Sequence, residues 1–322
     1  MDEVLVGTIV ASTLRVSVPL ILCALAGVLS ERSGVIDLGL EGKMLMTAFA
    51  TAAAGVAGGS LLLALAAALV VGVALSMLHA YACVSHSGDQ VVLGMAITMT
   101  AAGLTVVLGI AWFAQGGQTP PIPEAVRLGR WFVGAGDVVA QLPFVGPTLQ
   151  LALFGHNPLV YTALALVACV WWLLYRTRFG LRLRAAGENP AMVDAAGVSV
   201  KVLRYQALAL NGLLSGLAGA YLVLAQNPSF IPNMAAGRGY MALAALIFGK
   251  WHPVGALWAC LLFGFLDAVS IRMQGAVLPL VGEVPVQAIQ ALPYLLTVVL
   301  LAGFIGHALA PAALGRPYVK ER

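Results

Sequence analysis

Charge is what this sequence has least of. Asp, Glu, Lys and Arg make up 9% of its 322 residues, while 61% are hydrophobic. Soluble domains carry about 25% charged residues, and 17 basic plus 13 acidic side chains cannot cover a water-facing surface for a chain of this length. A soluble fold is excluded, and lipid is the solvent for most of the chain. Paired cysteines are missing too. Cys23, Cys83, Cys169 and Cys260 sit singly in or beside apolar runs, without a C-x-x-C spacing, which argues against a disulfide framework or a zinc site. His79, His86, His156, His252 and His307 make no H-x-x-x-H or H-E-x-x-H, and there is no Gly-x-Ser-x-Gly elbow and no phosphate loop. The enzyme classes those motifs serve are not indicated, and no catalytic residue, metal or cofactor is expected in this chain. No basic region precedes the first apolar stretch, which follows directly on Met1-Asp2-Glu3, so the first helix is expected to stay in the protein.

What is present is a series of long apolar runs. A helix needs about 20 apolar residues to cross the hydrocarbon core. No charge falls between Lys43 and Asp89, room for two spans joined by a turn at Gly58-Gly59-Ser60. Val4–Leu29, Val91–Gln115, Pro158–Tyr175, Tyr205–Ala225 and Ala288–Ile305 each read as one more. Gly239–Phe248 and Pro253–Leu266 are shorter and flank the polar knot Lys250-Trp251-His252-Pro253. The expectation is eight to nine spans in a single membrane domain, 1–322. Runs this continuous exclude a barrel, so the fold class is all-α. Arg15 within the first run leaves open a second reading, in which Val4–Leu14 is an interfacial helix. Gly42–Gly72 and Gly237–Gly264 echo one another as small-residue helix pairs, which fits either an internal repeat or shared composition.

Two segments are not membrane spans by composition. Residues 116–157 hold Pro120, Pro121, Pro123, Pro143 and Pro147 with several glycines, and read as a loop with short helices near Glu124–Phe132 and Thr148–Phe154. Residues 176–204 hold the densest basic cluster, Arg176, Arg178, Arg182, Arg184, Lys201 and Arg204. Basic loops stay in the cytoplasm, which makes 176–204 cytoplasmic and 116–157, one span away, extracytoplasmic. Counting back places the N-terminus outside and the Ser30–Lys43 connection inside. The net charge of +4 resides in such short connections, not on a soluble basic face, so a nucleic-acid partner is rejected.

Three clusters could carry function. Glu31 to Gly42 crowds acids and glycines between two spans. It reads either as a broken helix lining a path, with Asp37 and Glu41 a turn apart on one face, or as a polar connection in the headgroups. Composition does not choose between them. Asn189-Pro190 is a helix start and Gly197 a stop, giving a short helix Pro190–Ala196 that needs a surface to pack on: a soluble partner, or none if this is a solvated turn. Polar residues stranded in the second half are Asn211, Asn227, Phe230 beside them, Asn233, Arg238 and Tyr240, followed by Asp267, Arg272, Gln287 and Gln290. Amides, an aromatic and an Arg at a helix break suit a polar organic solute. The plainer readings are that Asn211 bonds a neighbouring helix and that Asp267 pairs with Arg272.

The stretches Glu31-Arg32-Ser33-Gly34-Val35-Ile36-Asp37-Leu38-Gly39-Leu40-Glu41-Gly42, Arg182-x-Arg184-Ala185-Ala186-Gly187-Glu188-Asn189-Pro190 and Gly237-Arg238-Gly239-Tyr240 through Gly249-Lys250-Trp251-x-Pro253-x-Gly255 agree in order and spacing. In these motifs the chain resembles the permeases of bacterial nucleoside-type ABC importers, within the group that serves ribose and branched-chain amino acids. The similarity runs from about Pro19 to about Thr297. It implies an importer-type permease in the bacterial cytoplasmic (inner) membrane that moves nucleosides or sugar-like solutes. It also implies a second related permease, hetero- or homodimeric, an ATPase subunit that holds ATP and Mg, and an extracytoplasmic solute-binding (lipo)protein. The coupling region would comprise Arg184, Gly187, Glu188, Asn189, Pro190, Ala195, Ala196 and Gly197. Many relatives carry Asn where this chain has Asp37, so the path gains an acid here. The rival expectation is an ion-coupled secondary transporter working through Asp37, Glu41 and Asp267.

Overall fold

The computed structural model describes residues 3–141, 146–273 and 309–320, with a few positions between 277 and 299. In chain order the helices are α1 (Glu3–Arg32), α2 (Leu40–Gly58), α3 (Leu61–Ala80), α4 (Gln90–Phe113), α5 (Val133–Val139) and α6 (Gly146–Leu153). They continue as α7 (Pro158–Arg176), α8 (Arg178–Glu188), α9 (Pro190–Ala195), α10 (Val200–Tyr221), α11 (Arg238–Phe248) and α12 (Pro253–Met273). Single π turns, Tyr81–Ser85 and Leu222–Gln226, extend α3 and α10. A two-residue antiparallel ladder, Val277–Leu278 with Glu283–Gly282, is the only other regular element among the described residues besides a 3₁₀ turn at Glu124–Val126.

Local chemistry sets these boundaries. Gly59 takes a left-handed φ of +58° and ends α2 by returning its N–H to the Gly55 carbonyl, a conformation that glycine adopts without steric cost. The Asp89 carboxylate accepts the Val91 and Val92 N–H groups at the start of α4, and Asn157 and Ser199 cap α7 and α10 in the same way. Each cap satisfies donors that no helical carbonyl can reach. Six helices among the described residues are long and apolar enough to cross a membrane: α1, α3, α4, α7, α10 and α12. With α2 and the half-length α11 they form one bundle, in which α10 packs most extensively on α3, and α1 on α12 and α10.

The connections segregate to two ends. At one end Arg32 Nε donates to the Trp251 carbonyl (2.9 Å), the Ile36 N–H to Gln90 (2.7 Å), and the Ser85 and Tyr205 hydroxyls meet at 2.6 Å. At the other, the Thr119 and Ile122 N–H groups donate to the Phe230 and Pro228 carbonyls, and Arg272 to the Thr8 hydroxyl. Segments 116–157 and 176–204 therefore lie at opposite ends.

Several expectations change. The first run is one continuous helix through Arg15, not an interfacial helix followed by a span. Asp37 precedes α2, which begins at Leu40, so Asp37 and Glu41 do not share a helix face. Glu124–Phe132 yields only the 3₁₀ turn, because Pro123 and Gly129 bracket it, and a helix forms instead at Val133–Val139. The basic segment contains an unanticipated helix, α8, capped by the Thr177 hydroxyl. Both echoing segments fold as helical hairpins, α2–α3 and α11–α12. Most of the Ala288–Ile305 stretch, with Gln287 and Gln290, lies outside the described residues.

Candidate functional site

Four elements meet at a buried polar hub. The α1–α2 turn brings Asp37, α2 brings Lys43, α3 brings Ser76 and His79, and α10 brings Asn211, all fully buried. Lys43 Nζ lies 2.6 Å from Asp37 Oδ2 and donates to Asn211 Oδ1 (3.1 Å). Ser76 Oγ donates to the same amide oxygen (3.0 Å), and Asn211 Nδ2 donates to the Ala26 carbonyl of α1 (3.0 Å). The Gly39 N–H donates to Asp37 Oδ1, with His79 Nδ1 3.5 Å from that oxygen. A buried ion pair held by hydrogen bonds from several helices ties them in one register, and loses heavily when one partner is removed; both ring nitrogens of the buried His79 have no hydrogen-bond partner among the described residues.

Glu41 is used differently. Its two carboxylate oxygens accept the Gly237 and Gly239 N–H groups at 2.8 and 2.6 Å, at the start of α11. Those amides are the unsatisfied donors of a helix N-terminus, where a negative charge is stabilised. Gly239 is required here, since a Cβ would lie 2.5 Å from the Glu41 backbone. At the α1–α2 end, Glu31 accepts the Trp251 indole N–H, both side chains being buried.

The remaining candidates divide by place. Asp37 and Asn211 meet through Lys43. Arg238 donates to Gln226 (3.2 Å), which with the Tyr221 hydroxyl donates to the Arg15 carbonyl. These four line a cavity of about 400 Å³ between α1, α10 and α12. Asn227, Asn233 and the buried Phe230 lie on the segment above it, where Phe230 meets Phe49 edge-on at 5.2 Å. Tyr240 is partly exposed near Met95. Asp267 and Arg272 do not pair: five residues apart on α12 they point to different sides of the helix, Arg272 bonds Thr8, and the opposite charge that acts on Asp267 is Arg238.

Between Arg184 and Gly197, α9 is capped by the Asn189 side chain on the Met192 N–H (3.1 Å), with Pro190 at its first position. Val193 is buried, while Met192 is 70% exposed. Glu188, Ala195, Ala196 and Gly197 are exposed. Arg184 stacks 4.6 Å over the Tyr175 ring. Gly187 instead faces inward, and a Cβ there would lie 2.3 Å from the Arg32 carbonyl oxygen. Sequence reasoning missed Lys43, Ser76, His79 and the buried Arg204. Lys43 carried a signal, as the last charge before a long charge-free stretch.

With that geometry in view, the comparisons fall in line. The family described as branched-chain amino acid transport system / permease component matches residues 9–306. A guanosine ABC transporter permease protein of Bacillus subtilis is 40% identical, covering 100% of both chains. A nucleoside ABC transporter permease protein of Lactococcus lactis is 36% identical, over 98% of this chain and 97% of its own. A solved ABC transporter of metal-chelate type, in an inward-facing conformation, shares the fold at TM-score 0.50 and 17% identity, covering 92% of this chain and 85% of its own. This chain is a multi-pass membrane protein that belongs to the permease-component family of the branched-chain amino acid transport systems.

Proposed function

We propose that this chain is the membrane-spanning permease of an ATP-driven importer of nucleosides in the bacterial cytoplasmic membrane. The observation that carries the reading is end-to-end likeness to two permeases named for guanosine and nucleosides. An ATPase subunit binds and hydrolyses ATP, an extracytoplasmic binding protein delivers the solute, and a second permease completes the path. The end of the bundle bearing 176–204 faces the cytoplasm, where basic loops reside. There α9 offers Met192 as an apolar knob on a six-residue helix already anchored by Val193, a form suited to a groove in the ATPase.

Closure of the ATPase pair moves α8 and α9. Gly187 presses on the Arg32 carbonyl, and Arg204 Nε holds the Ser33 carbonyl at 3.2 Å, so the motion reaches the α1–α2 turn that carries Asp37. Access switches only if ATP-bound and free states differ in these contacts. The polar cavity at Arg15, Tyr221, Gln226 and Arg238 supplies hydrogen-bonding groups suited to ribose hydroxyls and base edges.

Reconstitution with the ATPase and binding protein tests this. Labelled guanosine should enter vesicles only with ATP, unaffected by an uncoupler. Uptake by the permease alone that collapses with an uncoupler would return the chain to the ion-coupled class. Met192→Glu should weaken co-purification of the ATPase about tenfold or more, the cost of a charge in an apolar hot spot.

A further inference from the structure

Residues 309–320 do not trail away from the bundle. Ala313 donates its N–H to the Gly187 carbonyl of α8 (2.8 Å), and the Ala312 N–H reaches the Glu188 carboxylate (3.2 Å). Two residues on, the Gly315 N–H donates to the carbonyl of Gly34 in the α1–α2 turn (3.1 Å). Arg204 Nη1 donates to the Arg316 carbonyl (3.3 Å) while its Nε holds Ser33. The segment then arrives under α9, where the Tyr318 hydroxyl donates to Asp194 Oδ2 (3.2 Å) and Lys320 pairs with the same carboxylate.

The result is a stack of three layers: the 309–320 segment, α8, and the α1–α2 turn. Glycine makes it possible. Gly34 and Gly315 adopt φ of +91° and +76°, and a Cβ on Gly34 would crowd the Ala313 carbonyl and the Arg204 guanidinium. By contrast, a cavity of about 390 Å³ opens beneath α9, lined by Asp194, Lys201, Arg204, Tyr318 and Lys320. Val193 anchors α9 in a small apolar cluster with Ala186, Val200 and Leu203, against which Tyr318 of the strap also packs, so strap and helix share one contact surface while the cavity beside them leaves space for the pair to move together.

We infer that the 309–320 segment is a positioning strap of the transport cycle, with Tyr318 and Asp194 as its link to α9 and Ala313 and Gly315 as its link to α8 and the α1–α2 turn. When α9 moves, the strap carries the displacement to Gly34, three residues from Asp37 and hence from the polar hub. α8 and Arg204 provide one route to that turn; the strap provides a second, joined directly to the helix that meets the ATPase. This rests on the importer reading, in which α9 is the docking helix.

The test uses the complete reconstituted importer, measuring ATPase co-purification, thermal stability and solute uptake per ATP hydrolysed. Two permeases are compared with wild type: one truncated after Pro311, and one carrying Tyr318→Phe with Lys320→Gln. Uptake per ATP should fall about fivefold or more on truncation, the scale of a typical coupling loss, and by a smaller factor in the double variant, with the ATPase still bound. An assembled truncated complex with wild-type uptake per ATP would overturn the strap. If truncation prevents assembly, the double variant decides: an unchanged ratio overturns the inference and a lowered one supports it. Failure of the importer reading shows separately, as a wild-type complex without ATP-dependent uptake.

Discussion

Helices α3 and α10 lie against each other, yet they solve opposite problems. Extended by its π turn, α3 is the most apolar of the six long helices, and most of it is not buried within the chain. Extended likewise, α10 is the least apolar, and most of it is buried. In water the order would be reversed. Lipid tails are as apolar as Leu, so burial in a membrane brings no hydrophobic gain, and packing with small residues and satisfied polar groups takes its place. Thus α10 carries Asn211, Gly212, Ser215, Gly216 and Gly219 inward, while α3 shows Leu62, Leu63 and Val70 outward. Where the two cross, a Cβ on Gly72 would sit 2.3 Å from the Gly212 carbonyl oxygen.

The sharpest way to break this contrast is through the charges that α10 helps to bury. Lys43→Met leaves Asp37 without its cation in a site that excludes water, and the cost should be about 3–5 kcal/mol. Replacing both, Asp37→Leu with Lys43→Met, should recover much of that loss, because no uncompensated charge remains. Thermal unfolding in detergent of the two single variants and the double variant measures both. Additive losses would mean that the pair does not act as a unit. Next in size is the crossing itself. Gly212→Val forces backbone apart at the α3–α10 contact and should cost about 1–3 kcal/mol. Gly103→Val on α4, where a Cβ meets nothing within 4 Å, should be close to neutral in the same assay.

Hydropathy made the lipid-facing helices legible from sequence, because α3, α4 and α7 are continuous apolar runs whose ends carry caps such as Asp89 and Asn157. It read the buried elements less well. The absence of charge after Lys43 places α2, yet in the sequence Lys43 itself marks only a boundary, while in the fold Asp37 and Asn211 surround it. Asn211 was weighed as a helix-to-helix bond, and its bonds to Lys43 and Ala26 fit that plainer reading. His79 and Arg204 offered no local signal: one sits in an apolar span, the other in a basic run where solvated loops are the norm. Gly187 reads locally as one residue of the motif that the resemblance assigns to coupling. In the fold it also packs against the Arg32 carbonyl, a contact between residues 155 positions apart that no local pattern encodes. The Asn189-Pro190 start gave the place of the short helix α9 because caps are local; the strap and the hub are tertiary, and sequence periodicity does not report them.

The smallest effect tests the lipid side of the comparison. In a soluble protein, truncating buried leucine costs about 2–5 kcal/mol, mostly as cavity and transfer terms. Leu62 and Val70 are 77% and 67% exposed on α3, so alanine at either leaves no cavity and exchanges one apolar neighbour for lipid. Leu62→Ala and Val70→Ala should each change the stability of the isolated permease by no more than about 0.5 kcal/mol. The same variants measured in the assembled importer extend the argument. An unchanged melting temperature there means that this face of α3 meets lipid throughout. A loss of about 2 kcal/mol confined to the complex would mean that it packs against a partner subunit, and that the most apolar helix of the bundle is an interface.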